Sequence, residues 1–398
     1  VSAPGVAAAG AVALFAASVV LAVWSYLVYP AVLRRLVNRR AAEGGGDREG
    51  EGEREREGEH EGTSSEPASV EVLVAAADEE AVIGDRVRNL LAQETAGPLR
   101  VTVGCDGSSD ATAARAREAG DGRVSVIEFP ARRGKASVLN DLVAASRADI
   151  LVFTDANTRF EPGAVAALCR AVSPAAVGAA CGRLVLDPPD GEATPEGDFW
   201  DRETELKALE GELGLCLGAN GAIYAGKRTA VAPLPPDTTS MDDFLIPLGI
   251  LERGGRVVFA RDAVARERAG RSPRAEVSRR FRIGVGAGQV LRRQGWVWRP
   301  RRQPDLALIF FSRKTARWLA PLFLLAASAV ALASRQLRWA GLAVLVLGAL
   351  LAAAARAGVP ARGFAGRLYY FGVINLSLAY GVAAGLLGYS RPAWKSHR

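Results

Sequence analysis

Histidine is nearly missing from this chain of 398 residues: His60 lies in a Glu/Gly/Arg tract and His397 near the carboxy terminus. That scarcity argues against a His-ligated metal site or a Ser-His relay as the working chemistry. Cysteine is scarce as well. Cys105, Cys169, Cys181 and Cys216 show no C-x-x-C spacing, so neither a zinc cluster nor a disulfide framework is expected, and they read as reduced, mostly buried thiols. Lysine occurs only at positions 135, 207, 227, 314 and 395, which leaves arginine to carry the net charge of +7. A basic surplus suits nucleic acid, anionic lipid or phosphorylated substrates. Here much of it adjoins apolar segments and no nucleic-acid reader motif accompanies it, so the expected partners are membrane lipids and nucleic acid is not one.

What the chain does have is long apolar blocks on either side of a mixed centre. Val6–Leu33 carries no charge, is long enough to span a hydrocarbon core, and is followed at once by Arg34, Arg35, Arg39 and Arg40. That flank predicts a retained anchor over residues 1–41, with the following domain in the cytoplasm. Residues 42–66 are Glu/Gly/Arg-rich without apolar periodicity and read as a solvated linker. Residues 67–300 are expected to form one catalytic domain, and 301–398 an interfacial segment with about three spans: Trp318–Ser334, Trp339–Ala355 and Leu368–Tyr389. Asn375 in the last of these is expected to bond another helix. Between Arg271 and Arg302 stand ten arginines and one glutamate, with Trp296 and Trp298, a composition suited to an interfacial helix on anionic lipid.

Inside the central domain, β-branched runs at Val70–Val74, Val101–Val103, Val124–Phe129 and Ile150–Phe153 alternate with helical stretches. In Ala81–Leu91, for example, Ile83, Val87, Leu90 and Leu91 share a face. That alternation predicts an α/β fold with a mainly parallel sheet. Further strands are expected near Val177–Leu186 and Val257–Phe259, with a helix near Trp200–Leu213. Acidic residues fall at or just beyond two of the strands: Asp106 in C-D-G-S-S-D and Asp155 in T-D-A-N. A third acidic landmark, Asp242-Asp243 in M-D-D-F, opens a helical stretch. Carboxylates at strand ends are what a sheet edge needs to hold a nucleotide and a divalent cation. Each also fits a plainer role as a turn or helix cap.

The order of these motifs resembles the family 2 glycosyltransferases, in particular the membrane-anchored, polysaccharide synthase-like branch, over roughly residues 70–320. The resemblance implies a GT-A nucleotide-diphospho-sugar transferase-like domain with transmembrane helices on both sides. V-L-V-A-A-A-D-E-E at 72–80 matches the family's first strand and turn, which implies that Glu79 faces the nucleotide. Asp106 would accept from a base N–H or a ribose hydroxyl. Lys135 in R-R-G-K, at a helix N-terminus, would neutralise a diphosphate. T-D-A-N matches the D-x-D element, so that Asp155 and Asn157 would hold Mg²⁺ or Mn²⁺. Asp243 would be the general base, with Asp242 positioning or capping beside it.

Gly218 and Gly221 in the Gly-rich run 214–228 would allow close approach to sugar. Arg282 falls where processive synthases carry the Arg of Q-x-x-R-W, with Arg279 and Ile283 replacing Gln and Trp. The implied activity is inverting, metal-dependent transfer of a hexose from a nucleotide sugar, a UDP-sugar by this reading, to a lipid-linked or polysaccharide acceptor at the cell membrane. An export or synthase partner is compatible with it. A membrane scaffold that keeps the fold and binds nucleotide sugar without catalysis stands as the alternative.

Overall fold

Val70–Ala76 forms the first strand (β1), and every residue in it except Glu71 is buried. Leu73 and Ala75 enter one core while Val70, Val72, Val74 and Ala76 enter another. A strand covered on both faces has no need of polar alternation, which is why the run is apolar throughout. The computed structural model describes residues 3–43, 67–187, 195–268, 273–294, 303–357 and 363–390. Most of the 42–66 linker, Trp296, Trp298 and the basic tail lie outside them.

The remaining strands are β2 (Leu99–Asp106), β3 (Val124–Phe129), β4 (Ile150–Thr154), β5 (Arg159–Phe160), β6 (Val177–Asp187), β7 (Tyr224–Lys227) and β8 (Arg256–Arg268). They form one sheet in the order β3-β2-β1-β4-β7-β6-β8-β5. Parallel pairing joins β3, β2, β1 and β4, and also β6 with β8, whereas β7 runs antiparallel to both β4 and β6, and β5 to β8. The sheet is therefore mixed, which corrects the mainly parallel expectation for its second half. Four residues of β7 rich in small side chains give no periodicity of their own. The strand is fixed by its neighbours, most visibly by Phe153 stacked on Tyr224 at 4.7 Å across the β4–β7 pair.

The helices are α1 (Ala3–Val23), α2 (Tyr29–Glu43), α3 (Ile83–Leu91), α4 (Thr112–Glu118), α5 (Lys135–Ala145), α6 (Ala164–Val172), α7 (Pro195–Glu212), α8 (Asp242–Glu252), α9 (Pro273–Arg293), α10 (Pro304–Phe310), α11 (Ala316–Ala331), α12 (Arg338–Ala357) and α13 (Gly363–Leu386). A π turn at Trp24–Val28 joins α1 to α2, so the amino-terminal helix runs on to Glu43, slightly past its expected end. Among the described residues this is the one helix long and apolar enough to cross a bilayer; the apolar stretches Arg338–Leu351 and Gly372–Leu386 are shorter. Glycines on α9 and α13 bring those two helices into contact. A Cβ at Gly284 would collide with the Leu378 carbonyl, and one at Gly385 with the Val285 carbonyl. On its other side α9 holds the segment ahead of α8, where the Gln289 side chain accepts from the Thr239 amide at 3.1 Å and donates to the Asp237 carbonyl.

Candidate active site

β1, β2 and β4 run parallel, so their carboxyl ends open onto one edge of the sheet, with β1 between strands reached from opposite directions. Such a switch point is where an open α/β sheet leaves a crevice. Asp106 closes β2, and its side chain is fully buried. Its two oxygens accept from the backbone amides of Arg133 at 2.7 Å and Gly134 at 2.9 Å. Asp106 thus holds the turn before α5, in which Gly134 takes a positive φ of 93°.

With that turn fixed, Lys135 at the start of α5 directs its ammonium to Asp155 Oδ1 at 2.8 Å and Asp242 Oδ2 at 3.0 Å. Burial works against the charge, but the Asp155 and Asp242 carboxylates outweigh it and hold the ammonium above the ordinary lysine range. Asp155 follows β4 and stays half-exposed; Asn157, two residues on, is exposed. Thr154, at the end of β4, donates to the Ala222 carbonyl at 2.6 Å and accepts from the buried Arg86 guanidinium at 2.5 Å.

Asp242 and Asp243 open α8. Asp242 is buried and accepts from the Tyr224 hydroxyl at 3.3 Å, which the stack on Phe153 has placed there. Asp243 Oδ2 accepts from the Gly221 amide at 3.1 Å, and its carbonyl from the Ala219 amide at 2.7 Å. A Cβ on Gly221 would stand 3.5 Å from both Asp155 Oδ2 and Asp243 Oδ2, so the Gly-rich loop passes between the two carboxylates. Burial first, and then the neighbouring Asp242 charge, push the Asp243 carboxyl up to about 6, against Lys135, Lys207 and Lys314. A carboxylate raised in this way is still largely ionised at neutral pH and more basic than a solvated one.

Lys135, Asp155, Asp242 and Asp243 are thus brought together, with Asp106 behind them as the residue that positions the Lys135 turn. Glu79 is half-buried on the β1 loop, its amide donating to Thr112 Oγ1 at 2.8 Å. Asp78, beside it, accepts from the Ser109 amide at 2.8 Å and pairs with Arg132. Arg282 is half-buried on α9, the helix whose Gln289 pins the segment before Asp242. Cys105, Cys181 and Cys216 are buried and Cys169 is partly so.

Three functional supports escaped the sequence reading. Lys207 on α7 donates to the Ala219 carbonyl at 2.9 Å and to Asn220, fixing the Gly-rich loop. Glu210, fully buried on the same helix, accepts from the Leu217 amide at 3.1 Å, the Tyr29 hydroxyl at 2.9 Å and Arg313 at 2.8 Å. Arg86 had a readable signal, a charge at helical spacing among Ile83, Val87 and Leu90 on the buried face of α3. Lys207 and Glu210 had none, because their partners lie beyond the end of their helix or, for Tyr29 and Arg313, more than a hundred residues away.

Among the described residues no three His, Cys, Asp or Glu side chains form a metal cage. The available donors still suit a hard cation. Asp155 is half-exposed, has one oxygen on Lys135 and the other facing the crevice, and the amide of Asn157 lies close by in the chain. Mg²⁺ and Mn²⁺ sites of this kind take one or two protein oxygens and complete their shell with phosphate and water.

A solved mannosyltransferase from Pyrobaculum calidifontis, held in complex with GDP-mannose and Mn²⁺, shares this fold with a TM-score of 0.60 at 20% identity, over 94% of this chain and 99% of that one. A succinoglycan biosynthesis protein of Rhizobium meliloti is 34% identical over 103 residues, 25% of this chain and 30% of its own. An N-acetylglucosaminyltransferase of Rhizobium leguminosarum is 29% identical over 180 residues, 42% of this chain and 41% of its own. The chain therefore spans less than half the length of either relative. The sequence model described as glycosyltransferase like family 2 matches residues 67–286, which carry the whole sheet and the carboxylate cluster. That match covers more than half of the chain, and the chain belongs to glycosyltransferase family 2.

Proposed function

We propose that this protein is an inverting membrane glycosyltransferase that moves a sugar from a nucleotide sugar, a UDP-sugar in our reading, to a lipid-linked or polysaccharide acceptor in envelope glycan synthesis. The observation that carries the reading is the convergence of Lys135, Asp155, Asp242 and Asp243 at the open edge of the sheet. Glu79 would line the nucleotide side, and Lys135 would turn its ammonium to the diphosphate. Asp155 with Asn157 would hold Mg²⁺ or Mn²⁺, which when bound supplies positive charge against the diphosphate.

Asp243 then takes the proton of the acceptor hydroxyl as that oxygen bonds to the anomeric carbon. The bond from that carbon to the diphosphate oxygen breaks on the opposite face, and the leaving group departs with the electron pair. One displacement inverts the centre. Asp242, bound by Lys135 and Tyr224, fixes the start of α8 so that Asp243 points into the crevice. Arg282 is proposed to meet the charge developing on the leaving group.

In this reading the α1–α2 helix anchors the domain on the cytoplasmic face of the cell membrane. α11, α12 and α13 would add the further spans of a multi-pass protein beside the acceptor. The apolar character of α12 and α13 supports that arrangement, with a lipid-borne acceptor and membrane lipids as partners.

The test is isothermal titration of the detergent-solubilised full chain with UDP, and with GDP, with and without Mn²⁺, beside Asp155→Ala. Metal-dependent UDP binding that D155A abolishes is expected. A folded wild type that binds neither nucleotide under either condition refutes the proposal. Binding of GDP alone corrects the donor.

A further inference from the structure

Between α10 and α11 the helix widens into a π turn over Phe311–Thr315. π turns often mark functional positions. This one and the residues just after it place three cations, Arg313, Lys314 and Arg317, against α7 and α8. Arg313 is fully buried and donates to Glu203 at 2.7 Å and Glu210 at 2.8 Å, and Arg317 also donates to Glu203. Lys314, half-buried between them, makes no ion pair or hydrogen bond among the described residues. Its ammonium sits over the ring of Phe244, 5.2 Å from the centroid.

Phe244 is the residue after Asp243, and its ring is set firmly. It packs against Phe310 at 5.9 Å and Trp318 at 6.0 Å, and a Cβ on Gly218 of the Gly-rich loop would meet it at 3.0 Å. Three lysines act on the Asp243 carboxyl through their charge: Lys135, Lys207 and Lys314. Lys135 is bound by Asp155 and Asp242, and Lys207 by the Ala219 carbonyl and Asn220. Lys314 is the one of the three that the described residues leave without an acceptor. Burial and the Arg313 charge push it down to about 8, as expected for a cation held among like charges. The Glu203 carboxylate acts the other way, but its oxygens are bound by Arg313 and Arg317, so the Lys314 ammonium has no acceptor of its own, and an arriving anion would supply one.

We infer that Lys314 is the anion-recognition residue of an acceptor subsite: the acceptor brings a phosphate or carboxylate to its ammonium while its hydroxyl reaches Asp243. The inference rests on the glycosyltransfer reading, whose acceptor it restricts to an anionic class. The two sources of the anion are the phosphate bridge of a lipid-linked saccharide, whose terminal sugar keeps the attacking hydroxyl, and the carboxylate of an acidic sugar.

The test uses the full chain in phosphatidylcholine nanodiscs with UDP and Mn²⁺ present, comparing wild type, Lys314→Met and Lys314→Arg. Binding is measured for polyprenyl phosphate against polyprenol by thermophoresis, and for methyl glucuronide against methyl glucoside by ligand-observed NMR. Wild type is expected to bind the charged member of one pair about tenfold more tightly. K314M should erase that preference and K314R keep most of it. The pair that responds identifies the source of the anion. No charge preference in either pair, or a preference that survives in K314M, overturns the inference. Nucleotide titration of the same samples reports separately on the donor site, so failure of the glycosyltransfer reading is told apart from failure of this one.

Discussion

Asp243→Asn tests the assignment of the base through two opposed pH trends. Burial and the adjacent Asp242 raise the carboxyl from 3.8 to about 6, a preference of about 3 kcal/mol for the protonated form. The sign for stability follows from proton uptake. Between those pH values the native state binds more protons than the unfolded chain, so the contribution is fully present below 3.8 and lost as pH rises through about 6. On lowering the pH from 8 to 5, wild type should gain about 1.4 kcal/mol relative to D243N, which for a domain of this size is about 3–5 °C in melting temperature.

Activity runs the other way, because the base must be ionised. kcat/KM should be level above about pH 6 and fall about tenfold per unit below it, and D243N should lose roughly a hundred- to ten-thousand-fold at neutral pH. Thermal melts of both proteins in detergent from pH 5 to 8, run beside a radiolabelled-sugar transfer assay, supply both curves. A melting difference that ignores pH, or transfer by D243N near the wild-type rate, would refute the assignment.

Gly221→Ala should fold normally, since its methyl would make ordinary contacts at 3.5 Å. Because those contacts are Asp155 and Asp243, kcat/KM should fall by about tenfold or more while the melting temperature holds. Glu210→Ala removes the acceptor shared by Tyr29, Arg313 and the Leu217 amide and leaves buried partners unmatched. A loss of about 3–5 kcal/mol is expected by chemical denaturation, against about 1.5–3 kcal/mol for Tyr29→Phe, which deletes one bond to a charged acceptor.

The strands could be located from sequence wherever local composition carried the information. Val124–Phe129 coincides with β3, and the other expected strands lie within longer observed ones, since runs rich in β-branched and apolar residues carry a strand signal of their own. The same holds for the carboxylates: Asp155 and Asp243 were legible from where they stand relative to a strand and to a helix start. Asp106 was found as well, but its work was not. A nucleotide contact was expected, and the buried side chain instead spends both oxygens on the Arg133–Gly134 turn. A sequence places a carboxylate at a strand end without saying whether solvent or another loop will meet it.

The chain's own residues therefore determined an α/β domain with acidic strand ends, a membrane-length amino-terminal helix and an arginine-rich flank. Tertiary structure alone decided the antiparallel insertion of β7, the support of the Gly-rich loop by Lys207 and Glu210, and the lysine left without an acceptor beside Phe244. Periodicity and turn chemistry act over a few residues. These three features depend on partners from several to nearly two hundred residues away, brought together by closing the sheet and packing the amino- and carboxy-terminal helices onto it.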